Sequence, residues 1–537
     1  MPRPWAVAAG IGVLHLVLAL LVLQPAPVTG GDNAVYLALA RSLLAGGYRD
    51  LFDPAAPVHA QFPPGWPAML AVALALGVKP WVGIKYLTAV FSALAVGAAY
   101  LWVRRRRRPR LALGVAGLMA VSPGVLALSH SELSDVPFAF LTLAALFAWE
   151  RRGGRVVPAA LATAAAYLTR SAGLPLLVAA GVWLAWRRRW RDLAVYAAVV
   201  APPYLAWAWW MRAHGGGYGG FLLMKDPYAP DLGQVDAAGL AARVLDNLRL
   251  YGTTYLPRFL AGSHGSATMV LGIVLVALAV YGWARRARRP GVAEIFVPLY
   301  VAMLLLWPAT WAGERFILPL FPLLLVYAGD AAARLGRMMP GLPRAAVPAV
   351  AGAVLALVAL NGALDAVSYG SGCRRLYAAG DRYACMTPEW KDFFAVAETA
   401  GRVLPAGAAV LSRKPALFHA ASGVPGRTYP LEREPEALLR TARGAGARYV
   451  LLDQIDNMAE QYLTPALIRR PQAFCVMYSL GPASSTLFGL VPGAEGMPNL
   501  RDDPGATEVQ TGFKGCGPAF WRAGQTAASH GGTEAQR

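Results

Sequence analysis

The reactive side chains of this sequence gather at the edges of its apolar runs. The first is Asp32, in GGDNAVYLALARSLLAGGYRD (Gly30 to Asp50), directly after the first long run. A carboxylate there meets water while staying beside lipid, and it can take a proton from an incoming hydroxyl. It also suits a helix N-cap, because Tyr36, Leu39, Ala40, Leu43 and Leu44 recur at helical spacing until Gly46 and Gly47 stop the pattern. Such a short amphipathic helix would lie along a membrane surface. The chain then passes His59 and FPPGWP (Phe62 to Pro67), whose prolines stiffen the return and would hold a site in place.

A second acidic group is SHSELSDVPF, Ser129 to Phe138. His130, Glu132 and Asp135 carry metal-ligating groups, but their spacing matches no specific metal motif. A plain polar turn, with Asp135 supporting a backbone group or a cation, is preferred to a divalent metal, which stays open as the one cofactor this group could hold. Asp135 could also form a dyad with Asp32. A third set is basic: Lys85, Arg170 in YLTRSAGLP and Arg315 in WAGERFILPLFP lie at outer ends of apolar runs. One such cation reads as snorkelling to lipid headgroups, whereas several around a cleft would bind a phosphate, which Arg can grip bidentately. Glu314 beside Arg315 reads as a structural partner or an acceptor contact.

The elements that must position these groups are membrane helices. The chain has 537 residues, 56% hydrophobic and only 15% charged, with a mean hydropathy of +0.43, which is too apolar for a soluble globular protein. The formal charge of +20 comes in short clusters between apolar runs: RRRRRPR at 104–110, RRGGR at 151–155, RRRWR at 187–191, ARRARR at 284–289, then Arg334, Arg337 and Arg344. That placement fits cytoplasmic loops and argues against nucleic acid as a partner.

Runs able to cross a ~30 Å core number about eleven. They are Trp5 to Leu23, Val82 to Val103, Leu111 to Leu128, Val136 to Trp149, Val156 to Leu168, Leu174 to Trp186, Leu193 to Trp210, Thr268 to Trp283, Val292 to Thr310, Phe316 to Ala333 and Ala345 to Leu364. Pro67 to Leu76 reads as a re-entrant or interfacial piece. Threading with the N-terminus inside puts every basic cluster in the cytoplasm and everything after Leu364 outside; the first run reads as a retained anchor.

The expected fold class is a polytopic α-helical membrane protein with a C-terminal soluble α/β or α+β domain. Residues 1–364 form the membrane part, including outer loops 24–81 and 211–266. Residues 365–523 form the extracytoplasmic domain, and 524–537 a disordered tail. In the soluble part Ala408 to Ser412, Arg448 to Asp453, Cys475 to Leu480 and Ser485 to Val491 read as strands, and Glu434 to Arg443 as a helix. All four cysteines, Cys373, Cys385, Cys475 and Cys516, fall in this exported part, which favours disulfides; the expected pairs are Cys373 with Cys385 and Cys475 with Cys516.

The first-loop acid, the YxxxARSLLxGG helix, the PPGWP return, the SxxxSDxPF hinge and ERFxLPLxP, in that order, resemble the GT-C integral-membrane glycosyltransferases. The nearest branch is the protein mannosyltransferase and lipid A aminoarabinose transferase group, glycosyltransferase family 39 and its relatives. The resemblance covers roughly residues 1–365. It implies that Asp32 is the catalytic base and that Arg315 binds a lipid phosphate. Asn33 stands where protein mannosyltransferases tend to have a second acid.

The reaction so implied moves a sugar from a polyprenyl-phosphate donor to a glycan, lipid or protein acceptor at the outer face of the cytoplasmic membrane. Phosphate leaves well if cations hold its charge, so one carboxylate suffices where hydrolytic glycosidases use two. The rivals are a transporter or lipid flippase, which should carry ionisable groups mid-span, and a membrane-anchored assembly or binding protein. Here the mid-span positions are nearly all apolar.

Overall fold

A computed structural model describes residues 3–107, 109–150, 155–339, 343–481, 484–497, 499 and 513–523. The expected disordered tail from Gly524, and residues 151–154 of the RRGGR cluster, lie outside the described residues. The chain divides into two compact units. One comprises the chain up to Pro27 with Ala60–Pro227 and Asp231–Ala384; the other comprises Val28–His59, Tyr228–Pro230 and the chain from Cys385 onward.

The first unit is helical, and at least one helix coincides with each apolar run of the sequence. Among the described residues, five helices are long and apolar enough to cross a membrane: Pro4–Val22, Val82–Arg106, Trp190–Ala213, Ser266–Arg286 and Ala346–Ala378. Six further apolar helices are shorter, among them Gly65–Ala75, the piece expected to be re-entrant or interfacial. The run Leu111 to Leu128 is broken at Ser122 into Pro109–Val121 and Pro123–Leu128, because Pro123 cannot donate to the preceding turn.

Close packing depends on small residues. A Cβ on Gly282 would fall 2.1 Å from the Tyr327 carbonyl oxygen, and one on Gly370 would fall 2.6 Å from that of Val22. Several ionisable groups inside this unit are matched to partners. His15 is fully buried, donates from Nδ1 to the Ala120 carbonyl at 2.8 Å and meets Ser92 Oγ through Nε2 at 2.7 Å. Arg106 reaches both oxygens of Glu294 at 2.7 and 2.9 Å and lies 3.1 Å from Glu150, while Arg107 holds Asp330. The RRRRRPR cluster thus supplies counter-ions that tie helices together as well as loop charge.

The second unit holds one five-stranded sheet of β1 (Val410–Leu411), β2 (Gly426–Arg427), β3 (Tyr449–Leu452), β4 (Phe474–Ser479) and β5 (Thr486–Leu490), in the order β2-β1-β3-β5-β4. The first three strands are parallel, and β5 runs antiparallel to both β3 and β4. Helices Pro415–Ser422 and Pro435–Gly444 make the crossovers, as parallel strands require. The sequence pattern finds β1, β3, β4, β5 and the second crossover helix, and misses the two-residue β2.

The helix Asp32–Leu44, expected along a membrane surface, belongs to this same unit and packs on Pro415–Ser422, with most of its residues buried. The segment that follows is fastened to β2: the Gly426 amide donates to the Phe52 carbonyl at 2.7 Å, and Arg427 grips both oxygens of Asp53 at 2.7 Å.

Cys475 and Cys516 form a disulfide, Cys373 and Cys385 are also disulfide-bonded, and no described cysteine is free. The Cys475–Cys516 bond spans 41 residues, a loop length for which chain entropy gives roughly 4 kcal/mol of stabilisation. Cys516→Ser should lower stability of the second unit by about that amount in denaturant unfolding. Thiol labelling of unreduced, denatured wild type should find no reactive cysteine.

Candidate active site

In the first unit the hinge Ser129 to Asp135 is the centre of the arrangement. Its side chains are almost wholly buried, so each charge needs a partner. Lys85, on the first turn of its helix, lies 3.2 Å from Glu132 Oε1 and donates to the His130 carbonyl at 3.1 Å; both ionic side chains are 1% exposed. Lys85, expected to help hold a phosphate, therefore has its charge committed to Glu132. Burial first, and then the charge of Lys85, push His130 well below its ordinary pKa and keep it neutral.

Arg170 closes the other end of the hinge. It donates to Ser134 Oγ at 2.9 Å and to Asp135 Oδ2 at 3.1 Å, so Asp135 supports a cation, as its polar-turn reading expects. The Arg170 guanidinium also sits 5.1 Å from the centre of the Phe316 ring, and the Arg315 guanidinium lies 5.1 Å from the same ring. Arg170 and Arg315, far apart in sequence, are thus brought to the same aromatic ring. Glu314 is exposed beside them. Tyr300 donates to the Phe316 carbonyl at 3.3 Å and fixes the turn Glu314–Ile317 that carries Arg315.

The FPPGWP return positions both ends of this hinge. A Cβ on Gly65 would fall 2.6 Å from the Leu168 carbonyl oxygen, two residues before Arg170, so only glycine lets the return pack there. The next residue, Trp66, is fully buried and its Nε1 donates to the Glu132 carbonyl at 3.4 Å. Sequence reading found the motif and missed these two contacts, which need the fold to be seen.

Of the metal candidates His130, Glu132 and Asp135, Glu132 is paired with Lys85 and Asp135 with Arg170. No group of three or more His, Cys, Asp or Glu able to hold a metal occurs among the described residues.

In the second unit Asp32 is the first helical residue. Gly31, with φ of 96°, takes the cap position, so the N-cap reading of Asp32 is displaced by one residue, and its charge still favours the helix dipole. Asn33 is buried and donates from Nδ2 to the Val28 carbonyl at 2.9 Å, which makes it an anchor for the turn into the helix. Lys414 Nζ donates to the Gly30 carbonyl at 3.0 Å and lies within electrostatic reach of Asp32. His59, expected to contact substrate, is 2.8 Å from Asp50 Oδ1 and packs edge-on to Tyr48.

No family model and no curated protein matches the chain by sequence. The fold is nonetheless that of the GT-C glycosyltransferases, which are its structural neighbours. ArnT from Cupriavidus metallidurans, solved bound to undecaprenyl phosphate, aligns with a TM-score of 0.55 at 13% identity over 92% of this chain and 99% of its own. The archaeal oligosaccharyltransferase AglB from Archaeoglobus fulgidus, solved with an inhibitory peptide and a dolichol-phosphate, aligns with a TM-score of 0.53 at 14% identity over 90% of this chain and 74% of its own.

Removing one partner of a buried ion pair leaves an uncompensated charge and costs about 3–5 kcal/mol. Lys85→Met should therefore lower the thermal midpoint sharply, and Lys85→Met with Glu132→Leu should recover most of the loss. Gly65→Ala should disturb the hinge through its backbone clash and lower the thermal midpoint more than Gly114→Ala, where a Cβ meets nothing within 4 Å.

Proposed function

We propose that the protein transfers a sugar from a polyprenyl-phosphate donor to a hydroxyl-bearing acceptor at the outer face of the cytoplasmic membrane. The observation that carries this reading is the convergence of Arg170 and Arg315 on Phe316, in a fold whose neighbours include an enzyme solved with undecaprenyl phosphate. Two guanidiniums fixed on one ring are pre-ordered to grip a phosphate, and Arg does so bidentately. Asp135 and Phe316 hold them in place, and the Lys85–Glu132 pair supports the hinge behind them.

In the proposed reaction the Asp32 carboxylate takes the proton of the acceptor hydroxyl. The acceptor oxygen then forms a bond to the anomeric carbon, and the bond from that carbon to the phosphate oxygen breaks. The electron pair leaves with the phosphate, whose charge Arg315 and Arg170 stabilise. A single displacement inverts the anomeric centre. The positive-inside placement of the basic clusters supports a cytoplasmic N-terminus, and the disulfides support an extracytoplasmic second unit. In this orientation the chain is a multi-pass protein of the cytoplasmic membrane in contact with its lipids.

Asn keeps the shape of Asp but cannot accept the proton. Asp32→Asn should fold normally and lose ~100-fold or more in turnover, read as release of polyprenyl phosphate from a panel of lipid-phosphate sugars. Normal turnover in that variant would remove Asp32 from the chemistry. Arg315→Ala should raise the donor KM, and Arg315→Lys should rescue it only in part, because Lys lacks the planar fork.

A further inference from the structure

The helical unit carries a groove that the reaction outlined above does not use. Pro4, Trp5, Leu101, Arg104, Arg105 and Phe147 line it, around a volume of about 380 Å³. Pro4 and Trp5 begin the helix Pro4–Val22, Leu101, Arg104 and Arg105 end Val82–Arg106, and Phe147 lies in the last turn of Asp135–Trp149. Lys85 stands in the first turn of Val82–Arg106. The groove and the Lys85–Glu132 pair are therefore at opposite ends of one helix, about 30 Å apart, which is the thickness of a hydrocarbon core.

The basic run at this end of the helix is divided. Arg106 is bound to Glu294 and lies 3.1 Å from Glu150, and Arg107 holds Asp330, so these two charges are answered inside the protein. Arg104 has no hydrogen bond or ion pair among the described residues. Arg105 is set against the neighbouring helix: its Nη1 donates to the Phe147 carbonyl at 3.0 Å, and its guanidinium carbon stands 3.5 Å from the centre of the Phe147 ring. Those two contacts fix the place of the guanidinium. None of the lining residues is acidic, so the walls of the groove carry two cations and no anion.

The remaining walls suit the boundary between lipid headgroups and acyl chains. Trp5 is 63% exposed, and its ring meets that of Phe147 edge-on at 5.9 Å. An exposed indole at the end of a membrane-spanning helix sits at headgroup level, with an apolar body and one N–H donor. Leu101 precedes Arg104 and Arg105 by one turn on the same helix face and extends the groove toward the apolar part of the span. Two guanidiniums, an indole and an apolar side chain in that order match the phosphate, the ester region and the first methylenes of a phospholipid. Basic pockets between membrane helices recognise anionic headgroups by this chemistry.

We infer that the groove between the ends of Pro4–Val22, Val82–Arg106 and Asp135–Trp149 binds the headgroup of an anionic phospholipid, with Arg104 and Arg105 on its phosphate and Trp5 and Leu101 against its ester and upper acyl region. A free phosphate would engage the arginines alone and leave the apolar walls uncovered. The bound lipid ties three helix ends together at the membrane face bordered by the basic clusters. This site does not rest on the transferase reading.

The test titrates the full-length protein in neutral detergent with dioleoyl phosphatidylglycerol or dioleoyl phosphatidylcholine and reads binding by native mass spectrometry. Phosphatidylglycerol should bind wild type ~10-fold or more tightly than phosphatidylcholine, and Arg104→Gln should weaken it ~5-fold. Arg104→Gln with Arg105→Gln should remove the preference between the two lipids. Arg105→Gln also gives up the tie to Phe147, so Arg104→Gln, which has no partner to lose among the described residues, decides if the double variant does not fold. The control is Arg288→Gln with Arg289→Gln, which takes the same charge from two exposed arginines after the helix Ser266–Arg286 and should leave phosphatidylglycerol affinity unchanged. Equal binding of the two lipids by wild type, or an equal loss in the control, overturns the site. Displacement of the lipid by an equal concentration of glycerol 3-phosphate would give the groove to a soluble phosphate, and preference for undecaprenyl phosphate would give it to a polyprenyl carrier; either result overturns the phospholipid assignment.

Discussion

A lysine ammonium and a glutamate carboxylate, each 1% exposed, meet at 3.2 Å in Lys85 and Glu132. Taking either charge out of water alone costs several kcal/mol, so each holds the other in place, and with them the start of one helix and the hinge Ser129 to Asp135. The same constraint shapes the rest of the helical unit. Asp135 is matched by Arg170, Glu294 by Arg106 and Asp330 by Arg107. Once these pairings are made, the guanidiniums of Arg170 and Arg315 have a fixed ring to share. The place of Arg170 beside Phe316 follows from its match to Asp135 in the buried hinge.

Close backbone approach sets the geometry more finely than charge. Gly65 lets the FPPGWP return rest on the Leu168 carbonyl, and Trp66 then reaches the Glu132 carbonyl, so one motif touches the element before Arg170 and the element holding Lys85. In the second unit the comparable device is the sheet edge. Backbone bonding of Phe52 to Gly426 and the forked Asp53–Arg427 pair fasten the loop after the surface helix to β2. Asp32 is therefore carried with the sheet, and its helix is fixed by folded structure.

Much of the architecture was legible in the sequence because it follows from local rules. Apolar runs specify membrane helices wherever they are long enough, whatever they pack against. Short apolar runs located β1, β3, β4 and β5, and clustering of cysteines in one segment anticipated that they would be oxidised. Gly-Gly after Leu44 gave the end of the surface helix to within a residue. The reactive groups at the ends of apolar runs could also be named, since a charge beside lipid is costly and therefore conspicuous.

What the sequence could not decide was which charge meets which. Lys85 and Arg170 look alike in one dimension, each a cation at the end of a run; the fold gives Lys85 to Glu132 and leaves Arg170 sharing a ring with Arg315. His15, within the first apolar run, is bonded by Ser92 and Ala120, both distant in sequence. The strand β2 is two residues long and owes its existence to pairing with β1, so no periodicity could announce it. Sequence determines the elements because their hydrophobic pattern is local. Partner choice belongs to the tertiary structure, because the energy of a buried charge or an open hydroxyl depends on what the rest of the chain brings within about 3 Å of it.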